Sequence, residues 1–255
     1  MLVLRSLLFN LFFYLNLIAL MLLALPAFVL PRAVIVWLAK RWGLNSLWLL
    51  RVICGVKVEY RGRDKIPPGP LLVAAKHQST WDTFALLHLF ADPAFIIKRE
   101  LMWIPLFGWC SWKAGMIPVD RAAGKAALAA IAARTRAALV EGRQIVIFPE
   151  GTRRAPGAEP RYKIGITHLY AETEATCLPV ALNSGLFWPR RRLMRYPGTI
   201  VVDILDPIAP GLDKAQFMKA LEGGIEAATA RLIEAGRREL AAAGIEADIA
   251  ASETD

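Results

Sequence analysis

Between Ser6 and Pro31 the chain carries no charged residue. Wound as an α-helix rising about 1.5 Å per residue, Ser6 to Leu25 alone would reach roughly 30 Å, the thickness of a bilayer's hydrocarbon core. The run reads as a membrane anchor. A cleaved signal peptide begins in the same way, with Arg5 ahead of an apolar stretch, but Pro26 stands where small cleavage-site residues would be expected. Pro26 and Pro31 end the first helix, and a second segment from Ala33 to about Ile53 is expected to lie along the surface or dip into it. The tryptophans fit this placement. Trp37, Trp42 and Trp48 sit among Lys40, Arg41 and Arg51, and Trp103, Trp109 and Trp112 among Lys98, Arg99 and Lys113, a pairing typical of the membrane interface. Arg32, Lys40, Arg41 and Arg51 against Arg5 alone place the downstream side in the cytoplasm, at a plasma membrane or a bacterial inner membrane.

The chain is not membrane throughout, since charged residues make up 21% of its 255 positions. A net charge of +9 suits nucleic acid, an anionic membrane or an anionic substrate equally. No zinc-finger spacing, aromatic RNA-binding motif or periodic basic helix is present, so nucleic acid is excluded as a partner. Cys54, Cys110 and Cys177 are an odd number at wide spacing and read as reduced core thiols facing a reducing compartment. No ligand cluster for a metal stands out.

After Tyr60 the pattern changes. A Pro/Gly turn from Asp64 to Pro70 leads into short apolar runs that alternate with helical stretches, the signature of an α/β domain. Strands are expected at Leu71–Ala75, Phe95–Lys98, Met116–Val119, Gln144–Phe148, Leu178–Leu182 and Thr199–Leu205. Helices are expected at Trp81–Phe90, Leu101–Trp112, Lys125–Glu141 and Ile166–Thr173, with a long one from Asp213 to Ala243 that Gly223-Gly224 could interrupt. The fold class is therefore α/β: a mixed, mostly parallel sheet flanked by helices, behind an apolar helical anchor. Residues 1–57 form the anchoring helices and 58–255 the α/β domain.

His77-Gln-Ser-Thr-Trp-Asp82 follows the first of these strands and offers a base with an orienting carboxylate. In a continuous helix the pair would sit roughly 140° apart and never meet. They meet only if His77 lies in the turn before a helix beginning near Thr80, with Asp82 in its first turn pointing back. Asp82 would then hold one imidazole nitrogen and leave the other as a general base. The same residues could simply cap the helix. Three further stretches fall at the ends of apolar strands, where ligand sites in open α/β sheets gather. They are Gly115-Met-Ile-Pro-Val-Asp120-Arg121, Phe148-Pro-Glu150-Gly151-Thr152-Arg153, and Leu178-Pro179-Val-Ala-Leu182, the last preceded by Arg161-Tyr-Lys163-Ile-Gly165.

Taken in this order, the four blocks resemble the glycerolipid acyltransferase family, and within it the bacterial 1-acyl-glycerol-3-phosphate acyltransferases. That family carries His-x-x-x-x-Asp, a Gly to Asp-Arg block, Phe-Pro-Glu-Gly-Thr-Arg and a Pro-apolar block, which stand here at His77–Asp82, Gly115–Arg121, Phe148–Arg153 and Leu178–Leu182. The likeness covers roughly residues 55 to 210. Lys76 stands where Asn is commoner, and Arg154 where Ser is commoner. The resemblance implies transfer of a fatty acyl group from a thioester of coenzyme A or acyl carrier protein to a lysophospholipid hydroxyl at a phospholipid membrane.

The chemistry agrees with the residues. An alcohol attacking a thioester must lose its proton, and a neutral imidazole suits that task. No Ser or Cys nucleophile with a matched base is evident, and Ser79 reads as support for the turn, so direct attack without an acyl-enzyme is expected. Arg121, Arg153 and Lys163 are candidates for an acceptor phosphate, since Arg can grip one with two parallel bonds. Glu150 would orient Arg or backbone donors, the Gly151 region would stabilise the thioester oxyanion, and Thr152 and Pro179 complete the substrate-binding set. No cofactor beyond the acyl donor is expected. His88 and His168 read as structural histidines, and Arg190-Arg191-Arg192 with Arg195 beside Trp188 as a carrier-protein or lipid-facing patch. The acceptor is expected to be lysophosphatidic acid; another lysolipid, such as a lyso-ornithine lipid or lysophosphatidylglycerol, a thioesterase and a non-catalytic lipid binder are the alternatives.

Overall fold

Leu71–Ala75, five apolar residues in a row, are all buried, as expected for a parallel strand covered on both faces. The computed structural model, which describes residues 1–120 and 124–245, puts this strand in the middle of a sheet. The strands are β1 (Val56–Arg61), β2 (Leu71–Ala75), β3 (Pro93–Lys98), β4 (Ile117–Val119), β5 (Gln144–Ile147), β6 (Cys177–Leu182) and β7 (Gly198–Ile204). Their order is β1-β7-β6-β2-β5-β3-β4. Every neighbouring pair is parallel except β6–β7, so the sheet is mixed and mostly parallel.

Side chains alternate across β2 with the strand period of two. Leu71, Val73 and Ala75 face one apolar layer, which includes Phe84, Leu86 and Trp188. Leu72 and Ala74 face the other, built with Phe217, Leu221 and Ile225. The helices are α1 (Leu2–Leu23), α2 (Arg32–Leu49), α3 (Trp81–Ala85), α4 (Phe107–Lys113), α5 (Gly124–Val140), α6 (Gly165–Thr173), α7 (Ser184–Phe187) and α8 (Lys214–Ala242). Asp213 caps α8, accepting from the amides of Ala215 and Gln216. The helix passes Gly223-Gly224 without a break, because Leu221, Ile225, Ala228 and Leu232 form a continuous buried row that holds it to the sheet.

Three expectations from the sequence need correction. The helix expected at Trp81–Phe90 stops at Ala85 and is followed by a separate 3₁₀ turn, Leu87–Leu89. Val56–Arg61, whose first two residues fall within the expected anchoring region 1–57, is a strand where none was expected, and it pairs in register with Gly198–Asp203. Leu101–Trp112 is not one helix: a short 3₁₀ segment, Arg99–Trp103, precedes α4. Pro105 and the positive φ of Leu106 (63°) separate them.

The α1 helix is long and apolar enough to cross a membrane. Leu4, Leu8, Leu11, Leu15, Ile18 and Leu22 are exposed along it, while Phe9 and Phe13 are buried against Trp188, with Phe13 also on Phe84. Its polar residues are used within the protein. Ser6 Oγ accepts from the Arg195 amide at 2.9 Å, Asn10 Oδ1 from Arg195 Nη2 at 3.1 Å, and Asn16 Nδ2 donates to Ser46 Oγ at 3.1 Å. The α2 helix is fastened to the domain by polar contacts: Arg32 makes a two-pronged ion pair with Asp92 (2.7 and 2.6 Å), and Lys40 Nζ donates to the carbonyls of Phe90 and Ala91. It returns against α1 and leads through a π turn, Leu50–Cys54, into β1.

Candidate active site

The last ladder bond of β2 runs from the Lys76 amide to the Val180 carbonyl (2.9 Å), after which the chain leaves the sheet. Lys76 and His77 point to opposite faces, as neighbours in extended chain do. Asp82, in the first turn of α3 and wholly buried, points back into the turn. Its Oδ2 receives His77 Nδ1 at 2.9 Å, the Gln78 amide at 2.7 Å and the Ser79 amide at 2.9 Å; its Oδ1 receives Ser184 Oγ at 2.5 Å. A carboxylate collecting these donors acts as an acceptor, so Nδ1 of His77 carries the hydrogen and Nε2 is left as the basic nitrogen. The imidazole stacks on Phe148 (centroids 3.9 Å apart, planes at 15°) and its side chain keeps 13% exposure, which leaves one edge open. Ser79 is buried, and its Oγ accepts from the Trp81 amide. This bond supports the turn.

The Phe148–Arg153 loop lies beside this turn because β5 is the neighbour of β2. Gly151 takes a φ of +69°, which a side chain would resist. Its amide is bound to the Phe148 carbonyl at 2.9 Å, so it is not the donor that an oxyanion would need. Arg153 Nη1 reaches Thr80 Oγ1 at 2.5 Å, and the Arg154 amide donates to the His77 carbonyl at 2.8 Å. Arg190 Nη1 in turn donates to the Arg153 carbonyl (3.0 Å). Burial, then the nearby Arg190, lower the affinity of Arg153 for its proton; Asp82 opposes them and Arg191 adds to them. Thr152 is half-buried in the same loop, and Lys163 is exposed, its amide bonded to the Pro149 carbonyl at 2.9 Å.

Glu150 faces a lysine and the backbone of His77, not an arginine side chain. Its carboxylate is buried and pairs with Lys76 at 3.0 Å, and Lys76 also pairs with Glu226 of α8 at 2.7 Å. Burial raises the Glu150 pKa despite Lys76, which pulls it down. Pro179 is buried inside β6 opposite Ala74, with its carbonyl bonded to the Leu205 amide, so it belongs to the sheet and not to a loop at the groove. Arg121 lies outside the described residues. His88 packs edge-on against Tyr60, and His168 approaches Lys214, both away from the site. Ser184 was not among the residues expected here: it stands 102 positions from Asp82 and no local pattern marks it.

Trp103, Ile104, Trp109 and Trp112 are exposed, and Leu25 and Phe28 form an apolar cleft with Trp109 and Trp112. With the outer face of α1 they make an apolar surface of the kind that associates a protein with a membrane.

Known proteins resemble the chain in sequence and in fold. Residues 57–183 match the family model described as Acyltransferase. The chain is 38% identical over 177 residues to a 1-acyl-sn-glycerol-3-phosphate acyltransferase of Pseudomonas aeruginosa, covering 69% of each chain. It is 30% identical to a lyso-ornithine lipid O-acyltransferase of the same organism, over 78% of this chain and 82% of the relative. Its fold matches the crystal structure of the 1-acyl-sn-glycerophosphate acyltransferase of Thermotoga maritima with a TM-score of 0.70 and 24% identity, over 89% of this chain and 98% of that one. The His77–Asp82 pair stands inside the matched stretch, and the chain belongs to the acyltransferase family and is an acyltransferase.

Proposed function

We propose that the enzyme transfers a fatty acyl group from a thioester of coenzyme A or acyl carrier protein to the sn-2 hydroxyl of 1-acyl-glycerol-3-phosphate, giving phosphatidic acid. The observation that carries this reading is His77 held through Nδ1 by a buried carboxylate, with Nε2 basic and Arg153 on the adjoining turn. The acceptor hydroxyl gives its proton to Nε2 as its oxygen attacks the thioester carbonyl. The tetrahedral intermediate then expels the thiolate, which takes the proton from the imidazolium. Asp82 stabilises that cation and keeps the ring in place. Attack is direct, with no acyl-enzyme. Arg153 and Lys163, together with Arg121, hold the acceptor's phosphate. No metal or cofactor enters the scheme. The apolar face formed by α1 and the tryptophans sets the site at the bilayer surface, on the cytoplasmic side.

Similarity to the lyso-ornithine lipid relative supports a second acceptor class. One assay separates them: purified protein with a panel of thioesters and lysolipids, the products read by mass spectrometry. Phosphatidic acid as the dominant product supports the proposal. Preferential acylation of lyso-ornithine lipid overturns the acceptor, and free fatty acid formed without any acceptor overturns the transfer reaction in favour of a thioesterase.

A further inference from the structure

The catalytic turn and the Phe148–Arg153 loop are tied together on the open side of the site by Arg153 to Thr80 and by the Arg154 amide to the His77 carbonyl. A third tie lies on the opposite side of the sheet. Lys76, 2% exposed and bonded by its own peptide to His77, sends its ammonium to Glu150, three residues before Arg153. The same ammonium reaches Glu226 of α8 at 2.7 Å, and Tyr162 Oη donates to that same carboxylate oxygen at 2.9 Å. The Tyr162 ring lies under the ammonium at 5.9 Å. Two carboxylates thus share one buried cation, and one of them comes from the helix that covers the far face of the sheet. Glu226 lies beyond residues 57–183, outside the stretch that the family model matches.

We propose that Lys76, Glu226 and Tyr162 form a positioning network through which α8 fixes the register of the Phe148–Arg153 loop against His77. The levers are short. A shift of Lys76 moves the peptide of His77, and a shift of Glu150 moves Arg153 by way of the left-handed turn at Gly151. An error of about 1 Å in such placement costs up to about 100-fold in rate. The inference rests on His77 being the base, as proposed above.

The test uses the full chain in detergent micelles with whichever lysolipid and thioester the wild type converts. Activity is expressed per folded molecule, with folding followed separately by thermal unfolding. Lys76→Met, Glu226→Gln, Tyr162→Phe and the Lys76→Met/Glu226→Gln pair are compared. Tyr162→Phe and Glu226→Gln are expected to lower kcat/KM by about 5- to 20-fold, and Lys76→Met by about 100-fold. The double variant should cost no more than Lys76→Met alone, because both residues act through one ammonium. Independent, multiplying losses, or variants that only lower the melting temperature while kcat/KM per folded molecule stays within threefold, overturn the network. If Lys76→Met does not fold, Glu226→Gln and Tyr162→Phe decide alone, and unchanged kcat/KM in both overturns it. Full activity of His77→Ala would instead strike the reading of the base, and is read independently of these ratios.

Discussion

Asp82 does two jobs with one carboxylate, and two substitutions separate them. Its Oδ2 satisfies the buried amides of Gln78 and Ser79 as well as His77 Nδ1. Asp82→Ala removes the acceptor for both amides, each costing about 1–3 kcal/mol when buried unpaired, so a loss of about 2–6 kcal/mol is expected. Against a total of about 5–15 kcal/mol, that is enough to unfold much of the protein. Asp82→Asn can keep its carbonyl oxygen at the Oδ2 position, where it still accepts from both amides and from Nδ1. Its amide group then faces Ser184, whose hydroxyl turns to accept. The turn survives, but the negative charge beside the developing imidazolium is gone. Transfer is expected to fall by about 10²–10⁴ with a melting temperature close to wild type. The assay pairs initial rates of acyl transfer with thermal unfolding of the same samples. Asp82→Asn that keeps transfer within tenfold of wild type, or that melts as early as Asp82→Ala, would refute the division of roles.

His77→Ala should abolish transfer while the protein still folds and binds vesicles; retention of activity within tenfold removes His77 as the base. Arg153→Ala and Lys163→Ala should mainly raise KM for the acceptor, and a rise confined to the thioester donor would reassign them. Asp92 has a lowered pKa: burial opposes ionisation, but the bond to Arg32 and the charges of Arg143, Arg32 and Lys40 outweigh it. Its ionised form therefore adds stability above the unfolded-state value of about 4. That contribution is lost as pH falls through the lower folded value. Asp92→Asn should weaken the docking of α2 at neutral pH and flatten the acid limb of the unfolding profile; an acid limb unchanged from wild type counts against it.

What the sequence made legible follows from which interactions are local. Apolar runs bounded by turn residues gave β2 at its observed limits and β6 and β7 to within a residue, because burial on both faces writes itself into consecutive positions. The His77–Asp82 meeting could be argued from five residues of helix geometry, and the bond is there. Val56–Arg61 carries no consecutive apolar run: Val56, Val58 and Tyr60 alternate with the exposed Lys57, Glu59 and Arg61, the period-two pattern of an edge strand with one open face. Pro179 lies within β6, as the expected strand Leu178–Leu182 has it, and its missing amide is accommodated there. Ser184 and Glu226 reach the site across 102 and 150 positions respectively, and no local pattern encodes such a contact.

The same limit applies to α1, whose composition speaks only of lipid. Its inner face is part of the fold: Phe9 is 0% exposed and Phe13 5%, their rings lying 5.1 and 5.6 Å from Trp188. Burying a large apolar side chain contributes about 1.5–3 kcal/mol, so the two phenylalanines account for about 3–6 kcal/mol. Ser6 and Asn10 add contacts to the buried Arg195, whose guanidinium stacks on Trp188 at 4.1 Å. A helix serving only as a tether would have no such partners. Deleting residues 1–31 should therefore destabilise the remaining domain, lowering its unfolding midpoint in a detergent that solubilises both forms. Phe9→Ala/Phe13→Ala in the full chain should reproduce most of that loss while vesicle binding persists through the outer leucines. Equal midpoints for the shortened and full chains would show that α1 holds the enzyme at the membrane without holding it together.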